Sequence, residues 1–524
     1  MATEQFYRYC RHLCCAVVII ATSLAGVCQE PEDSIVDVQL FAGPNRVYVN
    51  VGQLPNAVNY LPAPPDTTSA LFVSDFQHWL WGKSIRGTAR GTQASNESQY
   101  GLNRLAIIMG PVIGVSMSSS RTPKILNLIY QAGETGSIST QYAKMYYLRK
   151  RPFIQMGEHT WGRYDDEVDL SKPANSSYPS AHSAFGWAVG LVLAEMLPQY
   201  QDTILSRAYQ YGQSRVIVGA HWQSDVDAAR LTAAAAVARM HNEPTFMTGL
   251  AAARDEYYTL RNITPPDNSG VGWPQGKRFL ETPVDSMSNY YLSDMMQYWQ
   301  GRTERVEDSD RAELAVADAD CSLNGLLTTF GNLLETTYSE SSSPGMYDVI
   351  RVSREALVDA ATQLQTSSKF RRRPYAQVGN QPLEGVDADA ATSSYPSVNA
   401  TIGWGIALLL AEIAPEMQAP ILQRGYEMGR SAVIAGTEYA SDVQAGRALA
   451  CAVVARLHSR PEFSAMITRA KSERYDMPLI TDVEELLDRS AADPEAWYSI
   501  TGWRYMSRPV GNGIFIHNGR KVIQ

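Results

Sequence analysis

Three short clusters between residues 144 and 225 contain polar residues of the types that carry out acid–base and nucleophilic chemistry. The clusters read "KMYYLRKRP", "YPSAH" and "SRVIVGAHWQSD". Their candidate residues are Lys144, Arg151, Ser180, His182, Arg215, His221 and Asp225. Taken singly, each has an ordinary explanation as a solvated charge, a helix cap or a core histidine. It is their combination that indicates a site.

The cations and donors among these residues suit a phosphate monoester dianion. Lys144, Arg151 and Arg215 supply positive charge, and the two arginines offer planar forks that match phosphate oxygens. Ser180 and the backbone N–H groups at the start of the following helix add further donors. The sequence therefore predicts an anion site built from side chains.

Hydrolysis at such a site also needs a nucleophile and an acid for the leaving group. His221 and His182 can take these two roles, and Asp225 follows His221 by four residues, which puts both on the same face if this stretch is helical. Asp225 could therefore hold one imidazole N–H and direct the other nitrogen at phosphorus. This part of the sequence has no cluster at metal-ligand spacing, so we expect neither a metal nor a cofactor.

The elements that carry these clusters have helical patterns. The segment "AFGWAVGLVLAEML" is apolar on most faces and too long for a typical strand. The segment "DVDAARLTAAAAVARMH" is rich in alanine and contains no glycine or proline. We predict an all-α fold made of helical bundles whose core helices are hydrophobic all round.

Much of this sequence occurs twice. "SSYPSAHSAFGWAVGLVLAEMLP" at 176–198 matches "SSYPSVNATIGWGIALLLAEIAP" at 393–415, and "SRVIVGAHWQSD" matches "SAVIAGTEYASD" at 431–442. We predict two homologous domains, 40–262 and 275–475. The segment between them, "RNITPPDNSGVGWPQGK", has the composition of a linker.

The second copy differs at the chemical positions. Thr366, Asn399, Ala432 and Glu438 stand where the first copy has Lys144, His182, Arg215 and His221, whereas Arg373, Ser397, Ser431 and Asp442 are retained. We expect this copy to be folded but inactive, because it lacks a nucleophile. Its apolar helices persist, which favours a fused pseudo-dimer over two independent domains on a linker.

The three clusters together resemble the signature of the class A bacterial non-specific acid phosphatases, within the superfamily of type 2 phosphatidic acid phosphatases and vanadium haloperoxidases. "Lys, six residues, Arg-Pro" is matched at 144–152, and "Pro-Ser-Gly-His" at 179–182 with Ala181 in place of glycine. "Ser-Arg, five residues, His, three residues, Asp" is matched in full at 214–225. The likeness extends over nearly all of the first copy.

The resemblance implies a role for each candidate residue. His221 would attack phosphorus and form a phosphohistidine, Asp225 would orient it, and His182 would protonate the leaving oxygen. The phosphoryl oxygens would be held by Lys144, Arg151, Ser180, the Ala181 N–H and Arg215. The expected activity is that of a metal-independent phosphomonoesterase of broad specificity for small phosphorylated metabolites. The alternatives are a vanadium-dependent haloperoxidase, or a ligand-binding module with a vestigial phosphatase site.

The N-terminal residues have the pattern of a targeting segment. Arg8, Arg11 and His12 precede the apolar run "CCAVVIIATSLAGVC", which ends before "QEPED". This predicts a signal peptide at 1–28 and a periplasmic or extracellular protein. No later stretch of the sequence is long and apolar enough for a membrane span. The net charge of −9 and the lack of basic tracts argue against a nucleic-acid partner.

The C-terminal residues 476–524 differ from the helical units. Short alternating runs around turn residues predict a small β-rich tail, which resembles the C-terminal sorting segments of some exported bacterial proteins. Beyond the N-terminal segment the chain has two cysteines, Cys321 and Cys451, which we expect to be free thiols.

Overall fold

Helices form nearly all of the regular structure, in agreement with the all-α prediction. The structure is a computed structural model of the 524-residue chain, and it describes residues 46–163, 171–475, 490–491, 497–499, 504–505 and 514–523. The helices of the first half are α1 (Ala70–Ser84), α2 (Ala89–Asn96), α3 (Leu102–Ile113), α4 (Pro123–Ile138), α5 (Gln141–Tyr147), α6 (Pro152–Gln155), α7 (Ala181–Met196), α8 (Gln201–Ile217), α9 (Gln223–Met240) and α10 (Pro244–Arg261).

The second half repeats this pattern from residue 290 onward. Its helices are α11 (Tyr290–Glu307), α12 (Ser309–Ala319), α13 (Leu323–Leu333), α14 (Pro344–Ser367), α15 (Pro374–Gln377), α16 (Val398–Ile413), α17 (Gln418–Ala435), α18 (Ala440–His458) and α19 (Pro461–Arg474). Short 3₁₀ turns and extended chain, without an α-helix, connect the halves between Arg261 and Tyr290. This segment coincides with the proline-rich stretch that the sequence marks as a linker.

A fully buried helix lies at the centre of each half. Every residue of α7 from His182 to Met196 is buried, as the apolar pattern requires, and the helix packs against α4, α8 and α9. The corresponding helix α16 packs against α14, α17 and α18. Small residues permit these close crossings: a Cβ added at Gly136 of α4 would lie 2.6 Å from the Cβ of Ala188.

The two halves make direct contact through their central helices. Helices α7 and α9 pack against α18, and α9 also packs against α16, while α1 contacts α11. The Tyr60 ring stacks on Trp404 with centroids 6.4 Å apart, and the Asn242 side chain donates to the Glu412 carbonyl at 2.8 Å. All described residues belong to one compact unit. The division into domains at 40–262 and 275–475 stays a prediction.

Two histidines from corresponding positions meet where the halves touch. The rings of His241 and His458 lie 3.9 Å apart. His241 contacts the Glu195 carboxylate at 3.1 Å, and His458 contacts Glu412 at 2.7 Å, which also accepts from Lys471 at 2.8 Å. Burial alone would lower the pKa of His241, but the Glu195 carboxylate outweighs burial and raises it to about 9. The contact between the halves therefore encloses a buried network of charges.

A small antiparallel sheet confirms the prediction of a β-rich tail. Its strands are β1 (Trp497–Ser499), β2 (Arg504–Tyr505), β3 (Ile514–His517) and β4 (Arg520–Ile523), in the order β2-β1-β3-β4. The predicted signal peptide at 1–28 lies outside the described residues. Among the helices that the structure describes, none combines the length and the apolar character needed to cross a bilayer. Cys321 and Cys451 are free thiols.

The charged network between the halves predicts a large loss of stability in Glu412→Ala. This variant leaves the Lys471 and His458 side chains buried without their carboxylate, which costs about 3–5 kcal/mol for a buried ion pair with one partner removed. Denaturant unfolding of the variant measures the change. Glu340→Ala, at an exposed position in a turn, is the control and should unfold like the parent chain. Equal stability of the two variants would contradict the expectation.

Candidate active site

The predicted anion-binding residues lie at the ends of four helices of the first half. Lys144 is in the last turn of α5, Arg151 directly precedes α6, and Arg215 is in the last turn of α8. Ser180 caps the N terminus of α7, and Ala181 is the first residue of that helix. The first N–H groups of a helix have no acceptor within it, so the start of α7 presents donors to the same space.

The two histidines and the aspartate complete the cluster. His182 is in the first turn of α7, His221 lies in the turn between α8 and α9, and Asp225 is in the first turn of α9. All three side chains are buried. The His221 Nε2 atom lies 3.1 Å from Arg151 Nη1, and the charge of Arg215 acts on the His182 ring. The structure therefore brings the sequence-predicted residues into one site.

The hydrogen bonds of His221 fix its protonation. Arg151 can only donate, so His221 Nε2 must accept and carries a lone pair. The Nδ1–H then donates to the Ser177 carbonyl at 2.9 Å. Burial and the charge of Arg151 lower the pKa of His221 well below 6.5. The imidazole is therefore neutral, with its nucleophilic nitrogen facing the cations.

The contact between Asp225 and His221 is less direct than the sequence spacing suggests. Asp225 Oδ2 lies 3.5 Å from His221 Nδ1, and the nearer acceptor is the Ser177 carbonyl. Asp225 instead accepts from the Ser177 hydroxyl at 2.5 Å and from the Trp222 N–H at 2.8 Å. Asp225 thus closes the start of α9 and fixes Ser177, the residue that holds the imidazole.

Arg149 is a residue of the site that the sequence analysis did not predict. Its guanidinium lies between two buried carboxylates, at 2.6 Å from Asp75 and 2.5 Å from Asp225, and it also donates to the Ser224 hydroxyl. Burial alone would raise the pKa of Asp225, but Arg149, His221 and the Ser177 hydroxyl together outweigh this effect and hold the pKa below its usual range. Asp225 is therefore ionised.

Comparison of the two sequence copies could have identified this chain of ion pairs, because its three residues occur in both. In the second half Arg371 joins Asp294, at 2.5 Å, to Asp442 in the same arrangement. All three residue types are unchanged between the copies, although the chemical positions differ. The ion-pair chain is therefore present also in the half that lacks His182 and His221, which indicates a structural role for it.

The buried site disfavours the charged forms of Lys144 and His182. The Lys144 ammonium donates to the Ser176 carbonyl, and burial together with Arg151 lowers its pKa well below 10.5. Burial and Arg215 lower the pKa of His182 well below 6.5, and its Nε2 atom makes no hydrogen bond among the described residues. Binding of an anion would favour the charged forms of both groups.

The prediction that Thr366 takes the place of Lys144 in the second half is wrong. Gln365, and not Thr366, makes the corresponding contact, because its side-chain amide donates to the Ser393 carbonyl at 2.9 Å. The Thr366 hydroxyl turns back to the carbonyl of Thr362 in its own helix. The reason is that α14 runs without a break from Pro344 to Ser367, whereas the corresponding stretch of the first half is interrupted between α4, which ends at Ile138, and α5. A neutral amide therefore replaces the ammonium.

A carboxyl group lies in the corresponding site of the second half. Glu438 lines a cavity of about 140 Å³ together with Arg373 and Asn399, and its Oε1 atom is 3.8 Å from Arg373 Nη1. Burial raises the pKa of Glu438 to about 7, although Arg373, the Ser397 hydroxyl and the Val398 N–H oppose the rise. Ser397 and Val398 correspond to Ser180 and Ala181, so the acid faces the donors where an anion would bind.

The fold and the site define the class of protein. The sequence model of the PAP2 superfamily matches residues 126–244 of this chain. This range contains every candidate residue of the first half. The chain belongs to this superfamily, and it is a phosphatase.

Curated relatives match less than half of this chain. A "Non-specific acid phosphatase" of Providencia stuartii is 38% identical over 248 residues, which are 47% of this chain and 96% of the relative. A protein of the same name from Salmonella typhimurium is 37% identical over 209 residues, 40% of this chain and 82% of the relative. An "Acid phosphatase" of Zymomonas mobilis is 32% identical over 210 residues, 40% of this chain and 78% of the relative.

The buried acid of the second half predicts a pH-dependent stability difference between the parent chain and Glu438→Gln. The folded-state pKa of about 7 exceeds the ordinary 4.5, so ionisation of Glu438 destabilises the fold as the pH rises through this interval. We expect the variant to gain on the order of 3 kcal/mol over the parent at pH 8 and less than about 1 kcal/mol at pH 5. Unfolding curves at both pH values measure the gain. Glu313→Gln, at an exposed position, should show no such pH dependence.

Proposed function

We propose that the chain is a secreted, metal-independent phosphomonoesterase of broad specificity that works through a phosphohistidine on His221. The observation that carries this proposal is the His221 Nε2 lone pair, which faces Arg151 at 3.1 Å within a cluster of cations. Burial and Arg151 keep the imidazole neutral, so the nucleophile needs no separate base to activate it. The names of the curated relatives support phosphatase rather than haloperoxidase activity.

The cations and the start of α7 hold the phosphoryl group. Lys144, Arg151 and Arg215 surround its non-bridging oxygens, and Ser180 with the Ala181 N–H completes the set of donors. A methyl group at Ala181 leaves the backbone donor in place. The positive charge that a phosphatase needs comes in this way from side chains and a helix terminus, without a metal ion or cofactor.

The first chemical step forms the N–P bond and breaks the bond to the leaving oxygen. His221 Nε2 attacks phosphorus, and His182 gives its proton to the leaving alkoxide. The bound dianion raises the pKa of His182, which burial and Arg215 lower in the free protein. The phosphorylated His221 ring keeps its Nδ1–H on the Ser177 carbonyl, close to the negative charge of Asp225.

The second step returns the enzyme to its starting state. His182, now neutral, takes a proton from water, and the resulting hydroxide attacks phosphorus. The N–P bond breaks, and its electron pair returns to His221 Nε2 as inorganic phosphate leaves with the water oxygen. The same histidine thus serves as acid and then as base.

The second half is a duplicated copy that has become inactive and packs on the first as a pseudo-dimer. The repeated ion-pair chain, with Arg371 in the place of Arg149, and the paired His241 and His458 support this reading. Asn399 and Glu438 leave this copy without a nucleophile. The predicted signal peptide at 1–28 and the C-terminal tail support export to the periplasm or the exterior, and small phosphorylated metabolites are the substrates.

Substitution of the nucleophile is the direct test. We expect His221→Ala to lose at least about a thousandfold in hydrolysis of a chromogenic phosphomonoester, and Asp225→Asn to lose less, because the Ser177 carbonyl still holds the imidazole. Chelator should leave the parent activity unchanged, and vanadate should inhibit it as a mimic of the five-coordinate transition state. The acidic limb of kcat/KM should fall below pH 6.5, because the pKa of His221 is lowered.

The control for this series is His159→Ala, which removes an exposed histidine and should retain full activity. Ordinary turnover by His221→Ala would contradict the proposed nucleophile. Loss of activity on chelation, restored by a divalent ion, would contradict the metal-independent mechanism.

The second half gives a separate expectation. Asn399→Ala and Glu438→Ala should keep kcat and KM within about twofold of the parent, because neither residue belongs to the site that holds His221. Initial-rate kinetics on the same chromogenic ester measure both constants. The matched substitution in the first half, His182→Ala, should lower kcat strongly, since it removes the acid. A comparable loss in Asn399→Ala would mean that the second half takes part in turnover.

A further inference from the structure

A cavity of about 530 Å³ lies between the two halves and is separate from the His221 site. Its wall includes residues from both halves, and none of the candidate catalytic residues contributes to it. Several tyrosines line it: Tyr60, Tyr178, Tyr209, Tyr290, Tyr395 and Tyr426. The volume and the aromatic walls suit a small organic molecule with a flat ring.

The wall contains a buried arginine without a carboxylate partner. Arg447 is 2% exposed, and its Nη2 atom donates to the Tyr426 carbonyl at 2.8 Å. Its Nε atom makes no hydrogen bond, and no carboxylate of the described residues lies within ion-pair distance of its guanidinium. Buried guanidinium groups are ordinarily paired, because removing a charge from water is costly. Arg447 therefore has no carboxylate in direct contact, and Glu427 acts on its charge only from beyond ion-pair distance.

The corresponding arginine of the first half shows what is missing. Arg230 also lines the cavity, but it donates to Asp227 at 2.7 Å and to the Gln213 side-chain oxygen at 3.0 Å. Both arginines lie against a tyrosine ring, so their settings are otherwise alike. The first half thus neutralises this position from within the chain.

Both acceptors have changed in the second half. Gln444 stands where the first half has Asp227, and Arg430 stands where it has Gln213. A carboxylate has become a neutral amide, and a neutral amide has become a second cation. Arg430 pairs with Glu304 and adds positive charge near Arg447, which has no ion pair of its own among the described residues. The nearby Glu427 pairs with Arg311 at 3.5 Å.

We propose that the cavity between the halves binds a small organic anion that carries a flat ring, with Arg447 as the cation that pairs with its anionic group. The anion supplies the charge that Asp227 supplies to Arg230. The ring lies among the tyrosines of the wall, where apolar surface and ring edges are available to it. Carboxylate and phosphonate head groups share the required chemistry.

Calorimetric titration with two inert probes, benzoate and phenylphosphonate, tests this proposal on the full chain. We expect one binding event per chain with either probe at the Arg447 site, and for phenylphosphonate a second event at the catalytic site. Arg447→Gln should weaken the event at the Arg447 site at least tenfold. Gln444→Asp should do the same, because it gives Arg447 the internal partner that Arg230 has.

Two readouts separate the Arg447 site from the His221 site and from misfolding. Competitive inhibition of turnover by phenylphosphonate should be unchanged in Gln444→Asp, since that variant leaves the catalytic site intact. If Arg447→Gln lowers the melting temperature, the binding measured with Gln444→Asp decides the question. We expect Gln444→Asp to fold, because the first half accommodates the corresponding ion pair of Asp227 with Arg230. The proposal is overturned if the parent chain binds neither probe outside the catalytic site, or if both variants bind as the parent does.

Discussion

The position of His221, the proposed nucleophile, depends on one buried chain of charges, in which Arg149 joins Asp75 to Asp225. It fastens α1 to the start of α9 and to the loop that precedes α6. Because Asp225 is held in this way, it can close the first turn of α9 and fix Ser177, whose carbonyl orients His221. A buried carboxylate without its cation would be strongly unfavourable. Loss of one partner of this chain would therefore destabilise the remaining contacts. The His221 imidazole is thus positioned by a buried chain of ion pairs that acts on it through Ser177.

The second half separates the residues that hold the fold from those that serve chemistry. Asp294, Arg371 and Asp442 form the same charged chain, although Glu438 stands there in the place of His221. Asp442 also accepts from the Tyr439 N–H, as Asp225 does from Trp222. The retention of this aspartate is therefore explained by packing and helix capping. In the first half the corresponding aspartate also accepts from the Ser177 hydroxyl, and the Ser177 carbonyl holds His221.

Sequence patterns predicted the helices well, because a helix such as α7 that is apolar on every face can only be buried. Residue types and spacing likewise located the site around His221. They could not show that Asp225 acts through Ser177, since a spacing of four places two residues on one face without fixing which atom is nearer. They aligned Thr366 with Lys144, although the unbroken α14 brings Gln365 to that contact. The cavity beside Arg447 depends on contacts between the halves, which no local pattern specifies.

The stacked imidazoles of His241 and His458 have a consequence for how this protein can vary. In a homodimer, a residue beside the two-fold axis faces its own copy, so every mutation there is made twice and must suit itself. Here both rings belong to one polypeptide, and each position can mutate alone. Asp227 and Gln444 occupy corresponding positions of the two halves and differ in this way. A single chain can thereby hold two unlike surfaces against each other, with a fixed one-to-one ratio that needs no regulation of subunit supply.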